Sequence, residues 1–513
     1  MSLYLRTKRI DQETGDTLEV LLHASDAKQK GINKGDIISL SYHELLLYVE
    51  AEVTDTEVNR GEVGIYTDIW QQYGIPSDET VVVNVSERPE SIEFIKKKLL
   101  GKKLTEHELE IIMKDISDRK IREVEIAYFM ASFFNPGFDE DEVLWTAKAM
   151  AKAGDILDFK TISKERAVKS KMKEFSGIVV DKHSIGGVAA KGVTPILVPT
   201  IASFGLTIPN TSTRAITTPA GTSDILEVVM PVDLTNEEIL NTVSKTGASM
   251  VWGGALKLAP ADDVLIHVER GLHVQSYQKL LVSIVAKKIA IGVTNILIDI
   301  PFGPGTKVED PDDVELLEHS FKNLFAKVGI SCDTYTRRVV APDGNGIGPI
   351  LEMRDILKVL DQEDDRPKDL ELLAASMAGR LLESIGYAEE GKGKQMALDK
   401  IQSGATREKF WEIAKAQGAK NIVKSKDLKL GEYVYEIKAV REGEIKVINN
   451  REIVKIARAL GNPFIKEAGI YFHNRPGDSI KAGEVVATMY ASSQERLDKG
   501  VATVVCEDLV ILA

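Results

Sequence analysis

Two glycine-rich segments carry the side chains best suited to chemistry. The first, Asp181-Lys182-His183-Ser184-Ile185-Gly186-Gly187, follows the apolar run 177–180 and precedes a helical pattern that starts after Thr194. A glycine pair between a strand and a helix lets backbone N–H groups approach an anion closely, with the helix dipole behind them. Lys182 adds a cation and Ser184 adds a hydroxyl donor. These residues fit a phosphate site, but a glycine pair alone is usually only a tight turn, and a lone histidine is more often structural than catalytic.

The second segment runs from Ser212 to Glu227 (STRAITTPAGTSDILE) and concentrates hydroxyl groups around a Pro-Ala-Gly turn. It then opens a predicted helix at Thr222, whose free N–H groups favour anions. Together, the hydroxyls, the Arg214 guanidinium and these N–H groups predict an oxyanion cradle. A polar loop that ends in a Thr/Asp helix cap is the alternative that the same residues satisfy.

The elements that would position these segments begin with a small β-barrel, predicted over residues 1–86. This stretch is rich in β-branched residues and turn signals, and it contains a weak internal repeat: 27–38 (AKQKGINKGDII) is echoed by 69–81 (IWQQYGIPSDETV). Each copy indicates a short helix, a Gly-Ile turn and a strand. Duplicated units of this kind usually close on each other, so we expect a pseudo-symmetric barrel.

Three further domains are predicted from residue 87 onward. Residues 87–170 show helical periodicity, with a capping box at Thr105. Residues 171–430 alternate strand-like runs, such as 296–300, with helices, which predicts a mostly parallel sheet with ligands at the carboxyl ends of its strands. Residues 431–513 combine short strands and turns, as in a small α+β domain. The predicted fold class is therefore multidomain α/β.

Composition limits the partners that the chain can have. The net charge of −13 over 513 residues argues against a general nucleic-acid binder, because a phosphate polymer needs a broad basic surface. The N-terminus lacks the apolar core of a signal peptide, and Lys287 and Lys288 interrupt the most apolar stretch, so it cannot span a bilayer. Cys332 and Cys506 lack metal-binding spacing. These features predict a cytoplasmic protein with free thiols, no metal site and no nucleic-acid or membrane partner.

The two chemical segments together resemble the signature of a known enzyme family. The pattern Ser-x-Arg-x(6)-Gly-Thr-x-Asp-x-x-Glu, preceded by Lys-His-Ser-x-Gly-Gly, is similar to that of the thymidine and pyrimidine-nucleoside phosphorylases. The resemblance continues through later segments of the chain: 251–255, 258–263, 283–288, 346–349 and 351–354. The extra N-terminal barrel, together with Ile300-Pro-Phe-Gly-Pro-Gly-Thr-Lys307, resembles the AMP phosphorylase branch of this family.

The resemblance implies roles for individual residues. One lysine and four hydroxyl residues would surround the attacking phosphate: Lys182, Ser184, Thr194, Ser212 and Thr222. Ser283 and Lys287 would recognise the base. The nucleotide would be bound by the following residues: Gly187, Thr213, Arg214, Ala215, Ile216, Thr217, Thr218, Thr222, Ser283 and Lys307. Among these, Lys307 is expected to reach the 5′-phosphate, since a flexible ammonium binds phosphate well as a point charge.

The implied reaction is phosphorolysis of the N-glycosidic bond of a nucleoside 5′-monophosphate, in which AMP and phosphate give adenine and ribose 1,5-bisphosphate. Inorganic phosphate is a co-substrate, and the reaction requires no metal or organic cofactor. Because the sugar becomes oxocarbenium-like, positioning and preorganised donors should supply most of the catalysis. The family also implies a homodimer, and a larger homo-oligomer built through the N-terminal domain.

Departures from the family pattern surround the inferred site. Gln275 stands where the branch has an acidic proton donor, and an amide carries no titratable proton. Gly271 replaces a proline, and Ala190-Lys191 replaces Gly-Asn. His183 and His273 are alternative proton donors. The candidate catalytic residues are therefore His183 and Gln275.

Two other functions stay open at this point. One is a divergent phosphorylase that acts on unphosphorylated nucleosides, and the other is a catalytically weak nucleotide-binding paralogue. Lys307 and the barrel favour a nucleotide substrate over a nucleoside. Gln275 is the feature that keeps the weak paralogue open.

Overall fold

The computed structural model describes residues 2–15, 18–215, 218–256, 258–270 and 276–513. Contacts within the chain divide it into two compact units. The first comprises Met1–Gly154 and Ala259–Ala286, and the second comprises Asp155–Leu258 and Lys287–Ala513. The sequence predicts four domains, which divide the chain further than these two units do, and that division stays a prediction.

The first unit begins with a closed barrel, as the internal repeat predicts. Its strands are β1 (Leu3–Ile10), β2 (Glu19–His23), β3 (Ile37–Tyr42), β4 (Leu45–Thr54), β5 (Glu62–Tyr66) and β6 (Thr80–Val85), in the order β1-β5-β2-β4-β3-β6. Strand β1 pairs parallel to β5 and antiparallel to β6, and β4 pairs in the same way with β2 and β3. The barrel therefore has the pseudo-symmetry expected of a duplicated unit.

The helices of the repeat occupy matching positions in the two halves of the barrel. Helix α1 (Ala24–Lys30) follows β2, and helix α2 (Thr67–Tyr73) follows β5. Each ends at a left-handed glycine, Gly31 with φ 69° and Gly74 with φ 67°. Glycine takes this conformation without the Cβ clash of other residues. The Gly-Ile turn seen in the sequence is therefore the helix stop of each half.

A helical layer completes the first unit. Its helices are α3 (Ser91–Leu99), α4 (Glu106–Ser117), α5 (Glu123–Ala131) and α6 (Glu140–Lys152), joined by Pro260–Arg270 and the first part of Tyr277–Ile291. The predicted capping box of α4 is present, because the Thr105 hydroxyl accepts from Glu108 N at 3.3 Å and the Glu108 carboxylate accepts from Thr105 N at 2.8 Å. A buried ion pair, Lys98 to Glu142 at 2.7 Å, ties α3 to α6.

The chain from residue 155 to 430 alternates helices and strands. In chain order, with the two later helices of the first unit included, the elements are α7 (Phe159–Lys169), a 3-10 turn (Lys173–Phe175), β7 (Val180–Ser184), α8 (Val193–Ser203), β8 (Ile208–Ser212), α9 (Thr222–Leu226), α10 (Asn236–Thr246), β9 (Ala248–Trp252), a 3-10 turn (Gly253–Leu256), α11 (Pro260–Arg270), α12 (Tyr277–Ile291), β10 (Asn295–Phe302), α13 (Pro311–Lys327), β11 (Ser331–Arg338), β12 (Gly346–Ile347), α14 (Pro349–Leu360), α15 (Lys368–Ser384), α16 (Gly393–Gln402), α17 (Ala405–Ala416) and a 3-10 turn (Ser425–Asp427). No helix among the described residues is both long and apolar enough to cross a membrane.

Strands β7 to β11 of this region pair in parallel, as the alternation predicts. They form the sheets β11-β10-β7 and β8-β9. A parallel bridge between Val179 and Thr207 joins the two sheets side by side. Helices α8, α14, α15 and α17 bury their apolar residues in one large core with these strands, which includes Ile196, Ile356 and Leu381.

The position of the first of these strands was predicted incorrectly. The apolar run 177–180 was expected to be the strand, but β7 begins at Val180 and continues through Ser184. Asp181 and Lys182 are typical of a loop in sequence, yet both are buried in the strand because each has a charged partner. The chemical residues Lys182, His183 and Ser184 therefore belong to the strand and not to the turn after it.

The C-terminal residues 431–513 form strands and short helices, as predicted. The elements are β13 (Tyr433–Lys438), β14 (Gly443–Ile448), α18 (Asn450–Leu460), β15 (Gly469–Phe472), β16 (Ser479–Ile480), β17 (Val485–Ala491), α19 (Gln494–Thr503), α20 (Cys506–Leu509) and β18 (Val510–Leu512). Their sheets have the orders β12-β15-β17-β13 and β16-β14-β18. Strand β12 comes from the preceding region, so this part packs directly against it.

A buried ion pair fixes β7 to α12. Lys288 Nζ lies 2.6 Å from Asp181 Oδ2, and both side chains are completely excluded from solvent. Asp181 Oδ1 also accepts from Asn210 Nδ2 at 2.7 Å and from Lys182 N at 2.8 Å. The carboxylate thus has donors on β7, β8 and α12. Removing one partner of such a pair leaves an uncompensated buried charge.

Replacing Lys288 with methionine tests this pair. We expect Lys288→Met to lower the free energy of unfolding by about 3–5 kcal/mol, because Asp181 would keep its charge without its cation. The exposed pair of Lys499 and Glu495 provides the matched control, and Lys499→Met should change stability by less than about 0.5 kcal/mol. Urea denaturation of both variants checks the difference. An equal fall in the free energy of unfolding for both variants would show that the buried pair stabilises the fold no more than the exposed pair does.

Candidate active site

The second unit collects polar side chains at the carboxyl ends of β7 and β10. Ser184 lies opposite Asp299 in the parallel register, and Ile185 N donates to Asp299 O at 3.0 Å. Lys182 Nζ lies 3.4 Å from Thr194 Oγ1, close to the start of α8. The structure thus brings Lys182, Ser184 and Thr194 together, as the resemblance implies.

Asp299 organises this cluster. Its carboxylate lies 3.8 Å from Lys182 Nζ and accepts from Arg337 Nε at 3.1 Å. Burial alone would raise the pKa of Asp299, but Arg337 and Lys182 outweigh it and the pKa is lowered. Asp299 is therefore ionised and holds Lys182 in place. Sequence reasoning missed this residue, although its single acidic side chain inside the apolar run ILIDIPF was a usable signal.

Two consecutive glycines bring the strand end of β7 against the loop after β10. Gly186 and Gly187 have φ angles of 89° and 94°, which side chains rarely adopt. A Cβ on Gly187 would lie 2.4 Å from the backbone nitrogen of Lys307. The Thr306 hydroxyl bonds to Gly303 O and Val308 O at 2.9 and 2.8 Å, which fixes that loop. Gly187 and Lys307 are therefore neighbours, as expected.

The second chemical segment folds into a closed loop. Asp224 Oδ2 accepts from both Ala215 N and Gly221 N at 2.7 Å. A Cβ on Gly221 would lie 2.2 Å from Thr213 O, so only glycine fits this crossing. The hydroxyls of Ser212 and Ser223 are 2.8 Å apart. The loop presents Thr222, at the first position of α9, as a partly exposed residue.

Arg214 is held by carboxylates of its own loop region. Its guanidinium makes two hydrogen bonds to Glu227, at 3.1 and 2.7 Å, and a contact of 3.1 Å to Asp233. Hydrogen bonding to Glu227 raises the pKa of Arg214. The side chain also lies over the Trp252 ring. This arrangement fixes the loop, and direct binding of substrate by Arg214 stays a prediction.

His183 lies in strongly positive surroundings. Burial lowers its pKa well below the ordinary value, and four lysines lower it further: Lys288, Lys287, Lys182 and Lys307. The imidazole is therefore neutral at pH 7. A neutral imidazole donates and accepts hydrogen bonds but is a weak acid. That His183 protonates the base stays a prediction.

The first unit positions Ser283 through a buried charge cluster. Ser283 Oγ donates to Asp262 Oδ2 at 2.6 Å. Lys279 Nζ lies 3.4 Å from Asp262 and 2.9 Å from Glu269. Sequence reasoning missed Lys279 and Glu269, because their pairing joins helices α11 and α12 and no local spacing reveals it.

Thr213 and Thr218 also belong to the second chemical segment. Thr213 is exposed, and the Thr218 hydroxyl donates to Ala220 O at 3.0 Å. Ile216, Thr217 and Gln275 lie outside the described residues, as do Gly271 and His273.

Comparison with known protein families matches most of the chain to three models. Residues 92–154 match the helical bundle domain of a glycosyl transferase family, and residues 176–407 match the a/b domain of that family. Residues 444–506 match the pyrimidine nucleoside phosphorylase C-terminal domain. The three matches follow one another in the order of the helical layer, the parallel sheet and the C-terminal region.

Curated relatives match almost the full length. An AMP phosphorylase of Pyrococcus furiosus is 40% identical over 97% of this chain and 95% of its own. An AMP phosphorylase of Methanosarcina mazei is 36% identical over 94% of this chain and 92% of its own. An anthranilate phosphoribosyltransferase structure from Thermus thermophilus has a TM-score of 0.48 and 15% identity, and covers 63% of this chain and 99% of its own. On the full-length relatives, the chain belongs to the AMP phosphorylase family of nucleoside phosphorylases.

Proposed function

We propose that this chain catalyses the phosphorolysis of AMP, with inorganic phosphate as the co-substrate and adenine and ribose 1,5-bisphosphate as products. The proposal depends on one observation: two cationic groups lie at the same edge of the parallel sheet. Lys182, with Thr194, lies at the end of β7, and Lys307 follows β10 against Gly187. A substrate pair with two phosphate groups needs two such positions.

The reaction requires one bond to form and one to break at C1′. An oxygen of inorganic phosphate forms the new C–O bond, and the N-glycosidic bond breaks with its electron pair going to the base. Lys182, Ser184, Thr194, Ser212 and Thr222 are the proposed donors that hold this phosphate beneath the sugar. Their contribution is orientation. Asp299 holds Lys182, and Ser223 holds Ser212, before substrate arrives.

The departing base must be neutralised. Ser283 and Lys287 are the proposed base-recognition residues, with the Ser283 hydroxyl oriented by Asp262. Gln275 is proposed to hydrogen-bond the base without transferring a proton. Neutral His183 is proposed as a hydrogen-bonding residue near the phosphate. We propose no metal or organic cofactor, because the nucleophile enters as free phosphate and lysines balance its charge.

The dependence on phosphate is the direct test of this function. With AMP as substrate, adenine release should require inorganic phosphate, and phosphorus NMR should detect a sugar product with two phosphate groups. The physical reason is that the site is built to orient a phosphate and not a water molecule. Adenine release at the same rate in phosphate-free buffer, with ribose 5-phosphate as product, would identify a hydrolase.

The role of Lys307 gives a second prediction. Lys307→Ala should reduce kcat/KM for AMP by a factor that corresponds to about 1.5–3 kcal/mol, the usual loss for a hydrogen bond to a charged group. Adenosine lacks the 5′-phosphate, so its use should change little. The ratio of the two kcat/KM values, measured in parent and variant, isolates the 5′ contact. An equal fall for both substrates would remove Lys307 from this position.

We also propose that the barrel is an assembly module of a homo-oligomer whose core is a dimer. The barrel surface exposes large apolar side chains on three of its strands: Tyr4 is 72% exposed, Leu46 is 53% exposed and Val85 is 54% exposed. Apolar groups on a soluble surface favour association with another protein surface. The free thiols of Cys332 and Cys506 fit a reducing compartment, and we propose a cytoplasmic location.

Deleting residues 1–86 tests the assembly role. The truncated chain should remain folded and form a smaller oligomer, because the barrel closes on itself and its core is its own. Light scattering of both chains measures the masses. If the truncated chain keeps the same number of subunits as the full chain, the barrel does not build the assembly.

A further inference from the structure

Lys191 is a cation at the site edge to which no role is assigned. It lies between the Gly186-Gly187 turn and the start of α8, and its backbone N–H donates to Glu352 Oε2 at 2.6 Å. This bond fixes the backbone from which the side chain extends. The side chain is partly buried. Among the described residues its ammonium forms no ion pair and no hydrogen bond.

The Lys191 ammonium lies close to that of Lys307. A Cβ built on Gly186 would lie 3.4 Å from Lys191 Nζ and 3.6 Å from Lys307 Nζ. The two ammonium groups therefore approach the same point from different segments of the chain. Charge-assisted N–H···O hydrogen bonds are about 2.7–2.9 Å long, so oxygens of one phosphate group can reach both nitrogens.

Burial has the largest effect on the pKa of the Lys191 ammonium. Burial and the Lys182 ammonium lower the pKa of Lys191 to about 8, although Glu352, Asp299 and Asp343 act in the opposite direction. Glu352, which accepts from the Lys191 backbone, is itself buried, and burial raises its pKa to about 8. Glu352 is therefore mostly protonated at pH 7. Other buried cations differ, since Lys288 and Lys182 each have an aspartate carboxylate within 4 Å: Asp181 at 2.6 Å and Asp299 at 3.8 Å.

We infer that Lys191 and Lys307 together bind the 5′-phosphate of the nucleotide, and that Lys191 is a specificity-determining residue for nucleotides over nucleosides. The inference rests on the proposed function, which assigns the 5′-phosphate to Lys307. A phosphate monoester carries a charge of about −1.5 to −2 at pH 7, which matches two ammonium groups. The glycine at 186 leaves the space between them open, because any side chain there would lie between the two nitrogens.

The same chemistry could serve the attacking inorganic phosphate, so the experiment separates the two sources. The variants are Lys191→Gln, which removes the charge and keeps the length, and Lys191→Arg, which keeps the charge. Lys420→Gln, at an exposed lysine in another loop, controls for the change in net charge. For each full-length chain, calorimetry gives the affinity for AMP and for adenosine without phosphate. Steady-state kinetics then gives the KM for AMP, adenosine and phosphate.

Lys191→Gln should weaken AMP binding about tenfold, with adenosine binding and the KM for phosphate within about twofold of the parent. Lys191→Arg and Lys420→Gln should stay within about threefold of the parent for AMP, since both keep a cation at 191. A rise in the KM for phosphate, or equal losses for AMP and adenosine, would overturn the inference. So would a parent chain that binds AMP no more tightly than adenosine.

The binding measurements also distinguish a failure of this inference from a failure of the proposed function. If the parent binds AMP more tightly than adenosine but releases no adenine with phosphate, the function fails and the two-lysine site is judged by Lys191→Gln binding alone. If adenine release is phosphate-dependent and Lys191→Gln binds AMP as the parent does, the function stands and the role of Lys191 fails. If Lys191→Gln does not fold, Lys191→Asn is tested in its place by the same ratio of the affinities for AMP and adenosine.

Discussion

The carboxylate of Asp181 is the point on which β7, β8 and the last turn of α12, all within the second unit, converge. It is fully buried, and it accepts from Lys288 on α12, from Asn210 on β8 and from the backbone of β7 itself. A lone charge there would be costly, so the strands and the helix have to meet for any of them to be stable. Because side chains alternate along a strand, fixing Asp181 also fixes the opposite direction of Lys182, toward Thr194 and Asp299.

The proposed site therefore depends on ion pairs that lie behind the groups expected to contact the ligand. Asp299 holds Lys182 and is itself held by Arg337, which forms a second pair with Asp343. Glu227 does the same for Arg214. These pairs are compatible with an anion site, as proposed, in a chain of net charge −13. The acidic residues pair with the inner cations, and Lys191, at the edge, is inferred to bind the ligand.

Much of the fold could be predicted because its signals are local. The duplicated helix–glycine–strand unit predicts the closed barrel, and the alternation from 171 onward predicts the parallel sheet. The start of β7 could not be predicted, since Asp181 and Lys182 are stable in a buried strand only through partners more than ten residues away. For the same reason the residues proposed to bind phosphate could be named from their motif, while Asp299, Lys279 and Glu269 were missed. Their roles depend on contacts between elements distant in sequence.

The charges of the proposed phosphate site also limit how the base can be protonated. Burial and the lysines around His183 lower its pKa well below the ordinary value, which favours the neutral imidazole in the free site. An anion bound among those lysines would act in the opposite direction, since a nearby negative charge favours the charged form of histidine. The proton affinity of His183 is therefore coupled to phosphate occupancy. In a chain with glutamine at 275, this coupling ties any acid assistance from His183 to the moment when the nucleophile is in place, and it leaves the free site without a general acid at that position.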